Sequence, residues 1–206
     1  KRAAGVQDPR VIVTHVIHTQ NYHEMVKMAQ DDVYEKVDAA RFYLIRLDVM
    51  NTFLQFKPGE IDEIKRQIPV IEKTLKKGRV EFVDNVKFQL DNYNSNDGSW
   101  SQDIFLKKGC TIGYYFNLVP AKGDISFCCH LRTVGDLSKN SYKEIWNSDN
   151  YRRWRIQGKF MKDNKDAMFL NNQPLYDEHC THCDNHQTIL ESYDKMKKYG
   201  LYKYYL

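Results

Sequence analysis

Five cysteines stand in the second half of this chain: Cys110, Cys128, Cys129, Cys180 and Cys183. Cys180-Thr181-His182-Cys183 is a C-x-x-C knuckle, a spacing that sets two thiolates on one side of a turn. Cys110 and Cys128 bracket two apolar runs, 111–119 and 124–129, parted by Pro120-Ala121-Lys122-Gly123. That pattern predicts a hairpin turning at the glycine, with its two ends, and so the two cysteines, brought together. Four thiolates can then converge. Thiolates are soft ligands and suit iron–sulfur clusters, zinc or copper(I). Spacing alone leaves an iron–sulfur cluster and a four-cysteine zinc site both open. Cys129 follows Cys128 on the expected strand, so it should point to the opposite face, as core or a bystander. His130, His179, His182 and His186 crowd the cysteines and are expected as exposed loop residues or as hydrogen-bond donors to sulfur, not as ligands.

The rest of the chain must position these groups. It has 206 residues, 42% of them hydrophobic, enough for one good-sized domain or two small ones. A net charge of +4 with Lys and Arg scattered along the chain gives no stripe for nucleic acid. Arg152-Arg153-Trp154-Arg155 reads as a solvated helix face with an anchoring Trp. No apolar run approaches membrane-spanning length and no secretory pattern stands in the sequence, so a cytoplasmic protein is expected. In a reducing compartment clustered cysteines read as metal or redox chemistry before they read as disulfides.

Residues 10–17 and 41–47 are β-branched or apolar runs, and 79–83 is a third, shorter one. The first lacks strict alternation and predicts a strand covered on both faces. Asn21 and Glu24 have capping-box spacing, ahead of Met25, Ala29, Val33 and Val37 at four-residue steps. Ile61, Ile64, Ile68, Ile71 and Leu75 predict an amphipathic helix, kinked at Pro69 and stopped at Gly78. Strand–helix–strand–helix–strand is the grammar of a parallel α/β sheet, too short here to close a barrel. Polar, turn-forming residues fill 89–103 and predict a linker. Beyond it the pattern predicts the hairpin, a helix begun by Ser141 and Glu144, a basic-aromatic helix at 150–156, an irregular stretch over 157–178, and a terminal helix at 187–199. The Tyr-rich tail, 199–206, either docks or is disordered.

The residues around the cysteines resemble a known family. Cys110, twelve residues, Gly123, four residues and Cys128 are similar to the opening signature of SPASM and twitch domains, C-terminal extensions of radical S-adenosylmethionine (radical SAM) enzymes. Val134-Gly135-Asp136-Leu137 and Ser141-Tyr142-Lys143-Glu144-Ile145-Trp146-Asn147-Ser148 resemble the segment that follows it, and Arg152, Arg153 and Trp154 fall where the family has a basic helix. No cysteine follows Cys183, so the likeness is to the shorter twitch type. The resemblance implies one auxiliary [4Fe-4S] cluster held by Cys110, Cys128, Cys180 and Cys183, with zinc the alternative from spacing alone. It divides the chain into 1–88, the later strands of a partial barrel, a linker at 89–104, and an α+β auxiliary-cluster domain at 105–206. It also implies that His18, Asn21, Arg46 and Asp48, at strand ends, line a pocket for S-adenosylmethionine or substrate. Bland roles compete for these four: a helix cap for Asn21, a local ion pair for Arg46 and Asp48. The substrate would be organic: a sugar, a peptide or a cofactor precursor. The family's C-x-x-x-C-x-x-C loop is absent from this sequence. The chain is therefore expected to be the C-terminal portion of a longer enzyme, with the missing half-barrel as partner, and to be inactive alone. A non-enzymatic zinc module is the rival, and a peptide-recognition module a third option.

Overall fold

The computed structural model describes residues 9–101, 104–130, 132–166, 168 and 176–205. The opening residues 1–5 and much of the expected irregular stretch after 166 lie outside them. The chain forms two compact units, Lys1–Trp100 and Ser101–Leu206.

The first unit is built on a parallel sheet in the order β1 (Ile12–Ile17), β2 (Ala39–Leu44), β3 (Glu81–Val83). Ile17 lies opposite Leu44, and Ala40 opposite Phe82. The parallel order agrees with the sequence pattern, but β1 is not covered on both faces. It is an edge strand whose residues alternate: Ile17 is fully buried, while Ile12, Thr14 and Val16 are exposed, Val16 to 51%. The run of β-branched residues reported strand propensity rather than double burial.

The single helix expected after Asn21 is broken. A short α1 (Met25–Met28) ends at Ala29, and Asp31 restarts the chain by accepting from Val33 N at 2.8 Å, opening a 3-10 turn over Asp32–Lys36. Met25, Ala29 and Val37 are still buried, and Val33 is not. Helix α2 (Pro58–Lys77) follows the sequence pattern closely. Pro58 occupies its first turn, the Glu60 carboxylate accepts from Lys57 N at 2.9 Å, and Ile61, Ile64, Ile68, Ile71 and Leu75 are buried. The helix runs through the exposed Pro69. Its end differs from expectation in one detail. Gly78 stays right-handed, and Arg79 takes the left-handed conformation, φ 60°. Val80 N bonds to Leu75 O at 2.9 Å and Arg79 N to Lys76 O at 3.1 Å, a Schellman closure that brings buried Val80 onto buried Leu75. Helix α3 (Val86–Asp91) sends the Gln89 side chain to accept from Leu44 N at 2.8 Å. Within the expected linker, Leu90 and Trp100 are buried in this unit's core.

The second unit holds α4 (Ile104–Lys108), an antiparallel pair β4 (Asp124–Ser126) and β5 (Thr133–Asp136), then α5 (Tyr142–Asn147), α6 (Asp149–Phe160), α7 (His186–Lys198) and α8 (Tyr202–Tyr205). The chain folds back over Pro120–Gly123 as predicted, with Gly123 N bonded to Pro120 O at 2.9 Å and Gly123 left-handed at φ 85°. The expected first arm is mostly not a strand. It contains a 3-10 turn at Ile112–Tyr114 and meets β4 only at the Leu118–Ser126 bridge; β4 ladders with β5 instead. Gly113 explains why: a Cβ there would stand 2.1 Å from the Phe127 ring, so this backbone lies directly on buried Phe127. The Ser141–Glu144 capping box is present at the start of α5. Arg152 and Arg153 are exposed and Trp154 is buried, as expected, but Arg155 leaves the solvated face: it is half-buried, with Nε donating to Gly113 O at 2.8 Å and Nη1 to Trp146 O at 3.1 Å. Among the described residues, no helix is long and apolar enough to cross a membrane.

Candidate metal centre

Cys110 follows α4, and its N–H donates to Gly158 O of α6 at 2.8 Å. The approach demands glycine, since a Cβ at Gly158 would stand 2.6 Å from Cys110 O. Cys128 lies in the turn between β4 and β5, beside a Phe127 N to Arg132 O bond of 2.8 Å. Cys180 and Cys183 belong to the 3-10 knuckle Glu178–His182 and its cap. Asp177 starts that turn by accepting from His179 N at 3.0 Å. Ser101 pins it: its Oγ donates to Cys180 O at 2.5 Å and accepts from Cys183 N at 3.0 Å, while its own N–H donates to Thr181 O at 2.9 Å.

These four cysteines are buried and line one small cavity. Phe105, Ile112, Phe127 and Met161 supply much of its apolar wall, and Arg132 its cationic group. Burial pushes the Cys128 and Cys180 thiols up to about 11 against the pull of Arg132, and burial raises Cys110 as well. Cys183, hydrogen-bonded to Cys129 and buried, is raised too. Such thiols keep their protons at neutral pH, so any metal bound here must displace them. Among the described residues, no three His, Cys, Asp or Glu groups are placed to hold a single metal ion. Four soft donors around an apolar void fit a multi-iron cluster, in which each iron needs one thiolate.

Cys129 departs from expectation. It sits in a turn rather than on a strand, so strand alternation does not decide its direction; it touches Cys183, and Asn185 Nδ2 donates to its Sγ at 3.7 Å. None of His179, His182 and His186 is exposed. His130 and His179 stack with ring centroids 4.8 Å apart, His182 Nδ1 meets Thr181 Oγ1 at 2.8 Å, and His186 Nδ1 meets Cys183 O at 3.0 Å. Sequence reasoning missed Ser101, Arg132 and Gly158. Ser101 lay within the expected linker, and nothing in the text near it signals the knuckle 79 residues away.

The other predicted residues lie in the first unit, at the C-terminal ends of β1 and β2. Asn21 is not a helix cap. Its Oδ1 accepts from His18 N at 2.9 Å and its Nδ2 donates to Val16 O at 3.0 Å. His18 Nδ1 accepts from Gln20 N at 3.2 Å. Arg46 and Asp48 are exposed, and the Asp48 carboxylate accepts from Met50 N at 2.8 Å.

Compared with known proteins, the segment 110–184 matches the family model described as SPASM, an iron–sulfur cluster-binding domain. No curated protein and no solved structure matches the chain. A sequence signature beginning at Cys110 and a matched segment that takes in the whole knuckle agree, and residues 110–184 are a SPASM iron–sulfur cluster-binding domain, typical of radical SAM enzyme C-termini.

Proposed function

We propose that Cys110, Cys128, Cys180 and Cys183 together bind one auxiliary [4Fe-4S] cluster of the twitch type, in the C-terminal part of a radical SAM enzyme. The observation that carries this reading is the single apolar cavity lined by four buried cysteines inside the SPASM segment. When bound, such a cluster supplies one-electron transfer or helps to shape a pocket for an organic substrate: a sugar, a peptide or a cofactor precursor. The protein's part is to exclude water with Phe105, Phe127 and Met161 and to hold the knuckle rigid through Ser101. The first unit would be the later strands of a partial barrel, completed by an N-terminal half-barrel that carries the C-x-x-x-C-x-x-C loop. His18, Asn21, Arg46 and Asp48, at the C-terminal edge of its sheet, would then line the S-adenosylmethionine or substrate pocket. The match of residues 110–184 to an iron–sulfur cluster-binding domain supports a cluster over zinc.

The chain purified without oxygen should carry about four irons and four sulfides and a broad brown charge-transfer band. Cys110→Ala or Cys183→Ala should bleach it. One tightly bound zinc, with no iron and no colour after anaerobic reconstitution, would replace this reading with a zinc module.

A further inference from the structure

Arg132 is the charged side chain in the wall of the cysteine cavity. It is buried to 9% exposure, lies close enough to Cys128 and Cys180 to interact with both sulfurs, and pairs with Asp177 at 2.5 Å. Asp177 in turn opens the knuckle that carries Cys180 and Cys183. A guanidinium does not lose its proton in a protein, so a permanent positive charge faces the sulfurs from within a low-dielectric wall. Burying it has a cost that a purely structural contact would avoid.

We propose that Arg132 is a potential-setting residue of the cluster site, its charge favouring the reduced cluster, and that Asp177 positions it and moderates that charge. The inference rests on the cluster reading given above. Reduction adds one electron to a cluster already anionic with four thiolates, with no bond made and no proton taken. A fixed positive charge beside Cys128 and Cys180 therefore favours the reduced form, and a nearby negative charge opposes it.

The test is a dye-mediated dithionite titration of the reconstituted 206-residue chain, without oxygen, on the wild type, Arg132→Met, Arg132→Lys and Asp177→Asn. Arg132→Met should lower the equilibrium constant for one-electron reduction at least tenfold, about 59 mV. Arg132→Lys should stay within that margin of the wild type. Asp177→Asn keeps an oxygen to cap the knuckle but loses the opposing charge, so its potential should rise. A merely structural pair would move both variants the same way or neither, and either result overturns the proposal. Should Arg132→Met take up no iron, an unshifted Asp177→Asn potential overturns it alone. Zinc in place of iron in the wild-type chain would sink the cluster reading itself, a result visible before any titration begins.

Discussion

Ser101 has two jobs on one oxygen. Its hydroxyl donates to the carbonyl of Cys180 and accepts from the amide of Cys183, and the residue is 1% exposed. Ser101→Ala would leave a buried carbonyl and a buried amide without their partner, at about 1–3 kcal/mol each before the backbone relaxes. The knuckle should loosen, so the variant should bind iron but release it faster to a chelator than the wild type. Chelator-driven bleaching measures this, and equal rates would deny Ser101 its pinning role. Cysteine could be read from the sequence as chemistry because it alone among the residue types carries a thiol, and Cys180 and Cys183 stand at metal-knuckle spacing. Ser101 could not, because serine is common and its partners are remote in the chain. Arg132 was hidden for the same reason: its meaning comes from Asp177, 45 residues on, and from burial that no local pattern reports.

At the scale of elements, the most readable segment was α2, whose five buried apolar residues repeat at helical spacing. Its boundary was less readable. Gly78 looked like the left-handed stop, yet Arg79 carries the positive φ, which costs a side-chain-bearing residue about 1–2 kcal/mol. Arg79→Gly should therefore raise the unit's stability, by up to about 1 kcal/mol once the added freedom of the unfolded chain is counted. Urea unfolding would measure it, and a lower midpoint would mean that Arg79 makes a compensating contact. The loops after β1 and β2 carry a repeated device. Asn51 accepts from Asp48 N at 2.7 Å and donates to Arg46 O at 3.1 Å, just as Asn21 does with His18 and Val16. Each loop thus turns back on its own strand end. The Asn21–Glu24 spacing suggested a cap because an Asn side chain can close either a helix or a loop, and the local sequence does not choose between them. The second-unit hairpin was half readable for a related reason: the turn at Gly123 is local, while the pairing of β4 with β5 depends on Phe127 packing against Gly113.

For the molecule as a whole, the two units should answer to different conditions. In the first, burial lowers the His15 pKa below its usual 6.5, against the weaker pull of Asp31. Neutral His15 stacks on Phe42 at 5.0 Å and can accept from Tyr34, whose hydroxyl burial pushes up to about 12 and keeps protonated. Below pH 6.5 the unfolded chain takes up the proton more readily than the folded one, so this contribution is complete above about 6.5 and is lost as pH falls. Amide exchange at Phe42 and Ile71, corrected for its intrinsic pH dependence, should speed up between pH 7 and 5, and less so in His15→Phe. His186 in the second unit, lowered to about 4 by burial, gives that unit an acid sensitivity of the same sign. Iron separates the units. A group that binds the folded state alone stabilises it by mass action, and a site occupied at a hundred times its dissociation constant gains about 2.7 kcal/mol. Chelating the cluster at constant pH should thus speed exchange at Ile125 and Ile189, in the core that holds the cysteines, by tenfold or more, and leave Phe42 and Ile71 unchanged. Equal acceleration at all four amides would mean that the chain unfolds as one cooperative body, with the cluster stabilising both units. No change at Ile125 and Ile189 would mean that the cysteine core stands without its metal.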